Sequence, residues 1–262
     1  MLAVALAAAC GGEASAGDRT VVASVYPVAY AAGEIAGPTA TVDDLTPPGA
    51  EPHDVELSPR DVERLQAADV VFYLGESFQP AVEDAVDGAS GRAIDLLAPG
   101  DGRDPHVWLD PLRFETMARR IGAVLGRERQ ARAFVRRLDE LDRDYRRGLA
   151  SCARRDIVTS HAAFGRLADR YGLRQIPLTG IEPEAEASAG AIERLVDQVR
   201  ASGATTVFVE PLVAPDLADT VASEAGVGVA TLDPLEAAPP EGAYFGAMRA
   251  NLAALRRALG CR

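Results

Sequence analysis

The sequence predicts an α/β protein of two similar lobes, each a parallel β-sheet flanked by helices, joined by one long rigid helix. Three observations carry this. Short β-branched runs alternate with helix-like segments, which implies parallel pairing through right-handed crossovers. The same order recurs in the two halves of the chain. Between the halves lies a stretch dense in helix formers that holds neither Gly nor Pro until Gly148.

In the first half, residues 20–25 (TVVASV) form a strand leading into a helix-like segment that ends near Ala36 and Gly37. Residues 41–45 (TVDDL) form a second strand, followed by the turn-rich 47–52 (PPGAEP) and then His53. A helix begins at Ser58, with Pro59 at a tolerated first-turn position and Val62 and Leu65 on one side. Residues 69–74 (DVVFYL) are continuous enough to be buried on both faces, and 92–96 (RAIDL) form a shorter fourth strand.

The second half repeats the plan. Strands are expected at 156–160 (DIVTS), 174–178, 205–209 (TTVFV) and within 226–232, with a helix over 162–171 stopped by Gly172. The halves share residues too: Glu51-Pro52 leads to Glu63-Arg64-Leu65, and Glu182-Pro183 leads to Glu193-Arg194-Leu195. Residues 127–149 carry Ala133, Phe134, Leu138, Leu141 and Tyr145 at spacings of three and four, with Asp139 and Arg143, or Asp142 and Arg146, as helical ion pairs. A single helix there is roughly 35 Å long. The expected organisation is a leader and tether over 1–18, an N-terminal lobe over 19–126, a linking helix over 127–150 and a C-terminal lobe over 151–262.

A formal net charge of −12 disfavours nucleic acid as a partner and weakly attracts cations. Residues 1–9 (MLAVALAAA) are apolar but too short to span a bilayer. They read as the tail of a secretory signal ending at Cys10, the expected site of lipidation in a bacterial lipoprotein. Two features depart from the usual signal: no basic segment precedes the apolar run, and Leu6 lies four residues before Cys10 rather than three. Cys152 and Cys261 then remain as an even pair, expected as a disulfide, with buried free thiols as the alternative.

The chain has only 3 histidines. His53 and His106 follow the second and fourth strands of the first half, His161 follows the first strand of the second, and Asp233 follows the last. Ligands in open α/β sheets bind beyond the carboxyl ends of strands. Three imidazoles and a carboxylate form a nitrogen/oxygen set suited to Zn²⁺. Glu210 is a further strand-end acid and the reserve ligand. Glu51 and Glu210 are the acids expected around the ligands, and Asp54, Glu56, Asp104 and Asp110 either accept imidazole N–H groups or stand as solvated charges. Trp108 reads as packing beside the site. Ser160 lacks the Gly-x-Ser-x-Gly setting of a nucleophile, and neither a phosphate loop nor His-Glu-x-x-His is present.

PPGAEPHDVELSPRDVERLQAADVVFYLG, DPHVWLDP, TSHAAFGRLADRYGL, GIEPEAEAS, VFVEPLVAPDLADTVASEAGVGVATLDPL and YFGAMRANLAALRRAL together resemble the zinc/manganese substrate-binding proteins of ABC importers, which include the metal-binding adhesin lipoproteins. The resemblance runs from about Val21 to Leu259. It implies a monomer with its metal in the cleft between the lobes, held by His53, His106, His161 and Asp233. It also implies a lipid-anchored protein outside the cytoplasmic membrane that delivers the ion to a permease and its cytoplasmic ATPase. An imidazole at His161 resembles the zinc-preferring branch, with Mn²⁺ or Fe²⁺ as the alternative ion. The chain lacks the His-rich loop of many zinc-uptake members. A zinc hydrolase, with Glu210 or Glu51 as base, and a metal-stabilised adhesin are the rival readings. No enzymatic activity is expected.

Overall fold

A computed structural model describes residues 19–97, 104–181 and 188–262. The chain forms two four-stranded parallel sheets. The first contains β1 (Arg19–Ala23), β2 (Ala40–Asp44), β3 (Val70–Tyr73) and β4 (Arg92–Asp95) in the order β2-β1-β3-β4. The second contains β5 (Asp156–Thr159), β6 (Arg174–Pro177), β7 (Thr206–Val209) and β8 (Gly228–Thr231) in the order β6-β5-β7-β8. The two orders are the same, with the first strand of each half at an interior position, so the internal repeat read from the sequence is a repeat of topology.

Along each interior strand, successive side chains point to opposite faces. Val21 and Ala23 enter the large inner core, whereas Val22 joins an outer cluster with Leu45, Val55, Leu65, Val71 and Val82. β5 and β7 do the same, with Ile157 and Phe208 inward and Val158 and Val207 outward. The outer layers are α2 (Pro59–Ala67) and α3 (Pro80–Val86) on one lobe, and α7 (Ala189–Ser202) and α8 (Asp216–Ala225) on the other. Ser58 caps α2, its side chain accepting from the Asp61 N–H while Asp61 reaches back to the Ser58 N–H.

The inner layer holds α1 (Tyr26–Ala36), α4 (Pro111–Leu125), α5 (Glu128–Leu149), α6 (Gly165–Tyr171) and α9 (Ala243–Leu259). The linking helix is α5, 22 residues long. Ala131, Phe134, Val135, Leu138, Leu141, Tyr145 and Leu149 make one buried stripe, and the helix touches α1 and α4 of the first lobe and α6 and α9 of the second. It is therefore a shared central wall, not a free-standing strut. α4 and α5 form a tight antiparallel pair. A Cβ added to Gly122 would lie 2.4 Å from that of Ala131, so only glycine permits the approach. The result is one apolar core continuous through both lobes. No helix among the described residues is long and apolar enough to cross a membrane. Cys10 lies outside the described residues, as do Glu182-Pro183 of the repeat and most of GIEPEAEAS.

Cys152 and Cys261 form a disulfide across a sequence separation of 109 residues. Beside it, the Arg154 N–H donates to the Leu259 carbonyl and the Arg262 N–H to that of Ser151, at 3.1 and 3.0 Å. The end of α9 is thus stapled to the start of the second lobe. Cys152→Ser/Cys261→Ser should lose about 2–4 kcal/mol of unfolding free energy. Urea denaturation of the variant beside the parent protein measures this, and unchanged midpoints would show that packing alone holds α9.

Candidate metal centre

The loops that follow the strands converge at the seam between the lobes. A short 3₁₀ turn, Pro52–Asp54, presents His53, with the Glu51 carboxylate accepting the His53 N–H at 3.3 Å. His106 opens another 3₁₀ turn, Val107–Leu109. His161 lies two residues beyond the end of β5, and its backbone is clamped. The carbonyl accepts from the Thr159 hydroxyl at 2.7 Å and the Gln175 amide at 2.9 Å, and the N–H donates to Glu210 Oε1 at 3.0 Å.

His53, His106, His161 and Glu236 form one group of potential ligand atoms, all within 4.8 Å of one another, and all four residues are buried. Three Nε2 atoms face a single oxygen, Glu236 Oε1, at 3.2 Å from His53, 2.8 Å from His106 and 3.4 Å from His161. The imidazole rings lie 5.4 to 6.0 Å apart, centroid to centroid. Phe78 packs edge-on to His53 at 4.8 Å and Trp108 to His106 at 5.3 Å, which keeps the site in an apolar shell.

The opposite ring edges are also occupied. His106 Nδ1 lies 2.9 Å from Asp104 Oδ1, and His161 Nδ1 is paired with Glu210 Oε2. A carboxylate at Nδ1 holds the proton there, which leaves Nε2 as a lone pair. In neutral rings those lone pairs point at a carboxylate oxygen, acceptor against acceptor. Such an arrangement is stable only with a cation at the focus, either a metal ion or protons taken up by the rings.

The charge distribution says the same. Burial works against a charged His161, yet Glu210 and Glu236 override it and raise the pKa to about 10. His106 is also raised, Asp104 and Glu236 overcoming its burial. Burial works to raise Glu236, and the three histidines instead hold it well below the usual carboxylate range. Glu51 is pushed up to about 7 by burial and by the nearby Glu236 charge.

Asp233, expected as the fourth ligand, is not in the group. Its Oδ1 accepts the Leu235 N–H at 2.7 Å, closing a local turn, and its own N–H donates to Asn251 at 2.9 Å. Leu235 then adopts a left-handed conformation (φ 61°), which redirects the chain so that Glu236, three residues on, enters the cluster. Trp108 does more than pack: its indole N–H donates to the Pro234 carbonyl at 2.7 Å and pins this turn. Glu210 orients His161 and Glu51 caps the His53 turn, and neither joins the cluster. Asp104 partners His106. Asp110 instead caps α4, accepting the Leu112 N–H, and pairs with Arg170 at 3.1 Å; Asp54 and Glu56 are exposed. The Ser160 hydroxyl donates to the Phe208 carbonyl at 3.2 Å. The signal for Glu236 was an acid inside a proline-containing turn at a strand end, but the first acid of that turn, Asp233, draws the eye.

Two sheets of the same topology, with three imidazoles and a carboxylate gathered between them, define a two-lobed protein with a candidate metal centre at its seam. The chain belongs to the family described as zinc-uptake complex component A, periplasmic, whose model matches residues 21–258. It is 32% identical over 288 residues to the zinc-binding lipoprotein AdcA of Streptococcus pneumoniae, covering 95% of this chain but 58% of that protein. The chain thus spans little more than half of that relative. The high-affinity zinc uptake system protein ZnuA of Bacillus subtilis is 29% identical over 299 residues, covering 97% of this chain and 94% of its own. Among solved structures, the laminin-binding protein Lmb of Streptococcus agalactiae, a bifunctional protein with adhesin and metal-transporting activity, superposes with a TM-score of 0.87 at 30% identity. That match covers 92% of this chain and 99% of that one.

The raised pKa values fix a pH dependence for the metal-free protein. A group raised on folding contributes stability that is full below its unfolded pKa and is lost as pH rises through its folded one. For Glu51 the window is 4.5 to about 7, and for His161 it is 6.5 to about 10. The unfolding free energy of chelator-treated protein should therefore fall from pH 6.5 to 10, and His161→Gln should flatten that slope. Urea titrations across this range, in chelator, test it; a wild-type slope that the variant retains would remove His161 as its source.

Proposed function

We propose that this chain is the extracytoplasmic substrate-binding component of an ABC importer, capturing Zn²⁺ through His53, His106, His161 and Glu236 and handing it to a membrane permease driven by a cytoplasmic ATPase. The observation that carries this is the convergence of three Nε2 atoms on one buried carboxylate oxygen. Zinc is the cargo, taken up and released. A lipid anchor at Cys10 would keep the protein on the outer face of the cytoplasmic membrane, acting as a monomer.

The donor set supports zinc over manganese. Three imidazole nitrogens and one carboxylate suit Zn²⁺, whereas Mn²⁺ prefers oxygen-rich sites and lies at the weak end of the divalent affinity order. The site's burial supports capture over hydrolysis. Catalytic zinc keeps an open position for water and needs a nearby base. Glu210 is already paired with His161, and Glu51 gives one of its two oxygens to the His53 N–H.

Competition against a chromophoric chelator should give one tight equivalent of Zn²⁺ and weaker Mn²⁺. His161→Ala and Glu236→Gln should each lose more affinity than the roughly 10–100-fold typical of changes behind the ligands. Tight binding that survives both substitutions would refute the site. In cells, deletion should slow growth in zinc-depleted medium, and added zinc should restore it.

Asp104 bridges His106 to the other lobe, since Arg166 on α6 lies 3.2 Å from its Oδ2 and donates to its carbonyl at 3.0 Å. Asp104→Asn should weaken zinc binding roughly 10–100-fold while leaving one site per chain. The same titration measures it, and unchanged affinity would show that Asp104 does not set the His106 ring.

A further inference from the structure

The Glu236 carboxylate has two different sides. Oε1 meets the imidazoles, whereas Oε2 is buried and has no hydrogen-bond partner. The residue is 1% exposed. Glu236 also lines a pocket of about 150 Å³ at the seam of the lobes. Gly49, in the loop before His53, closes it from the first lobe, and Pro211, Leu212, Asp233 and Ala237 are among those that close it from the second. Asp233 is half-buried there, and of its hydrogen bonds the side chain spends one oxygen on the Leu235 N–H.

Several other sides of the imidazole cluster carry close neighbours. Asp104, backed by Arg166, stands against the Nδ1 edge of His106, and Glu210 stands against that of His161. Phe78 packs on His53, and Trp108 on His106. At Glu236 a volume large enough for an ion with several waters lies against a residue of the cluster.

We propose that this pocket is a transit site for the divalent cation. Asp233 and Glu236 Oε2 hold the partly hydrated ion between solvent and the imidazoles. Glu236 belongs to both sites, so the ion passes from one carboxylate oxygen to the other while His53, His106 and His161 replace its remaining waters. No bond is made or broken apart from those to the ion. This rests on the metal-capture reading above and adds a route to it. Asp233 does not touch the ion in its final place, so its loss slows arrival and departure together and leaves the equilibrium nearly unmoved.

The test is stopped-flow mixing of the full chain with Zn²⁺, and of zinc-loaded protein with excess fluorescent chelator, alongside equilibrium competition. Asp233→Asn keeps the Oδ1 acceptor for the Leu235 N–H. It should lower the association rate by about tenfold, as loss of a focusing charge does, and the dissociation rate in step, with Kd within about twofold. Ala237→Leu, which narrows the pocket, should slow both rates as well. Asp54→Asn, an exposed acid beside His53 but outside the pocket, should leave the rates near wild type. Three results would overturn the proposal. An affinity loss in Asp233→Asn equal to that of Glu236→Gln would make Asp233 a ligand. Unchanged rates in both pocket variants would place the route elsewhere. Equal slowing by Asp54→Asn would reduce the effect to long-range charge. Wild-type protein without tight zinc binding would instead defeat the metal-capture reading itself.

Discussion

A buried carboxylate needs a counter-charge, and among the described residues Glu236 finds its counter-charge only in histidines. No arginine pairs with it among the described residues. An arginine would have neutralised the site permanently, because guanidinium does not give up its proton. Imidazoles can exchange a proton for a metal ion. The site therefore keeps one cation requirement that either protons or a metal can meet. The surrounding carboxylates strengthen the requirement. Asp104 and Glu210 hold the protons of His106 and His161 on the Nδ1 side, and so point the Nε2 lone pairs inward.

Holding acceptor groups face to face requires a rigid frame. The frame comes from the way the two sheets share their inner helices. Val21 and Phe72 of the first sheet, and Ile157 and Phe208 of the second, enter one core with α5 running through it. Interiors packed in this way transmit strain and do not absorb it. The loops beyond the strand ends are accordingly held from below by the sheets and from the side by α4, α6 and α9.

Much of this was legible in the sequence. The strands were visible because interior parallel strands are short and β-branched, and the topology repeat because both halves carry the same residues at like spacing. His53, His106 and His161 stood out because so few histidines exist and each follows a strand. What sequence spacing does not reveal is which way a turn sends its side chains. Asp233 and Glu236 are three residues apart, and the choice between them depends on the Asp233 to Leu235 hydrogen bond and on a left-handed Leu235, a conformation that no propensity assigns to leucine. The place of α5 was likewise hidden. Its apolar stripe showed that it packs, but not that both lobes pack on it.

The same contacts couple the cluster to the seam between the lobes. His106 is tied to the second lobe through Asp104 and Arg166, and the Glu236 turn is tied to the first through Trp108 and Pro234. Tyr244 on α9 adds a third tie, donating to the Trp108 carbonyl at 2.6 Å, and Arg170 a fourth, bridging Asp110 and Asp142. Each lobe thus grips a cluster residue that belongs to the other. Parting the lobes by even a small amount pulls on His106 and on Glu236 at once, so the metal site and the seam loosen together. A partner that binds across the seam and weakens these ties would lower affinity for the ion without touching any ligand, and by reciprocity the bound ion strengthens the seam against such a partner. The coupling follows from where four hydrogen-bonded or ion-paired ties lie, all within a few residues of the site, and not from any property of the metal.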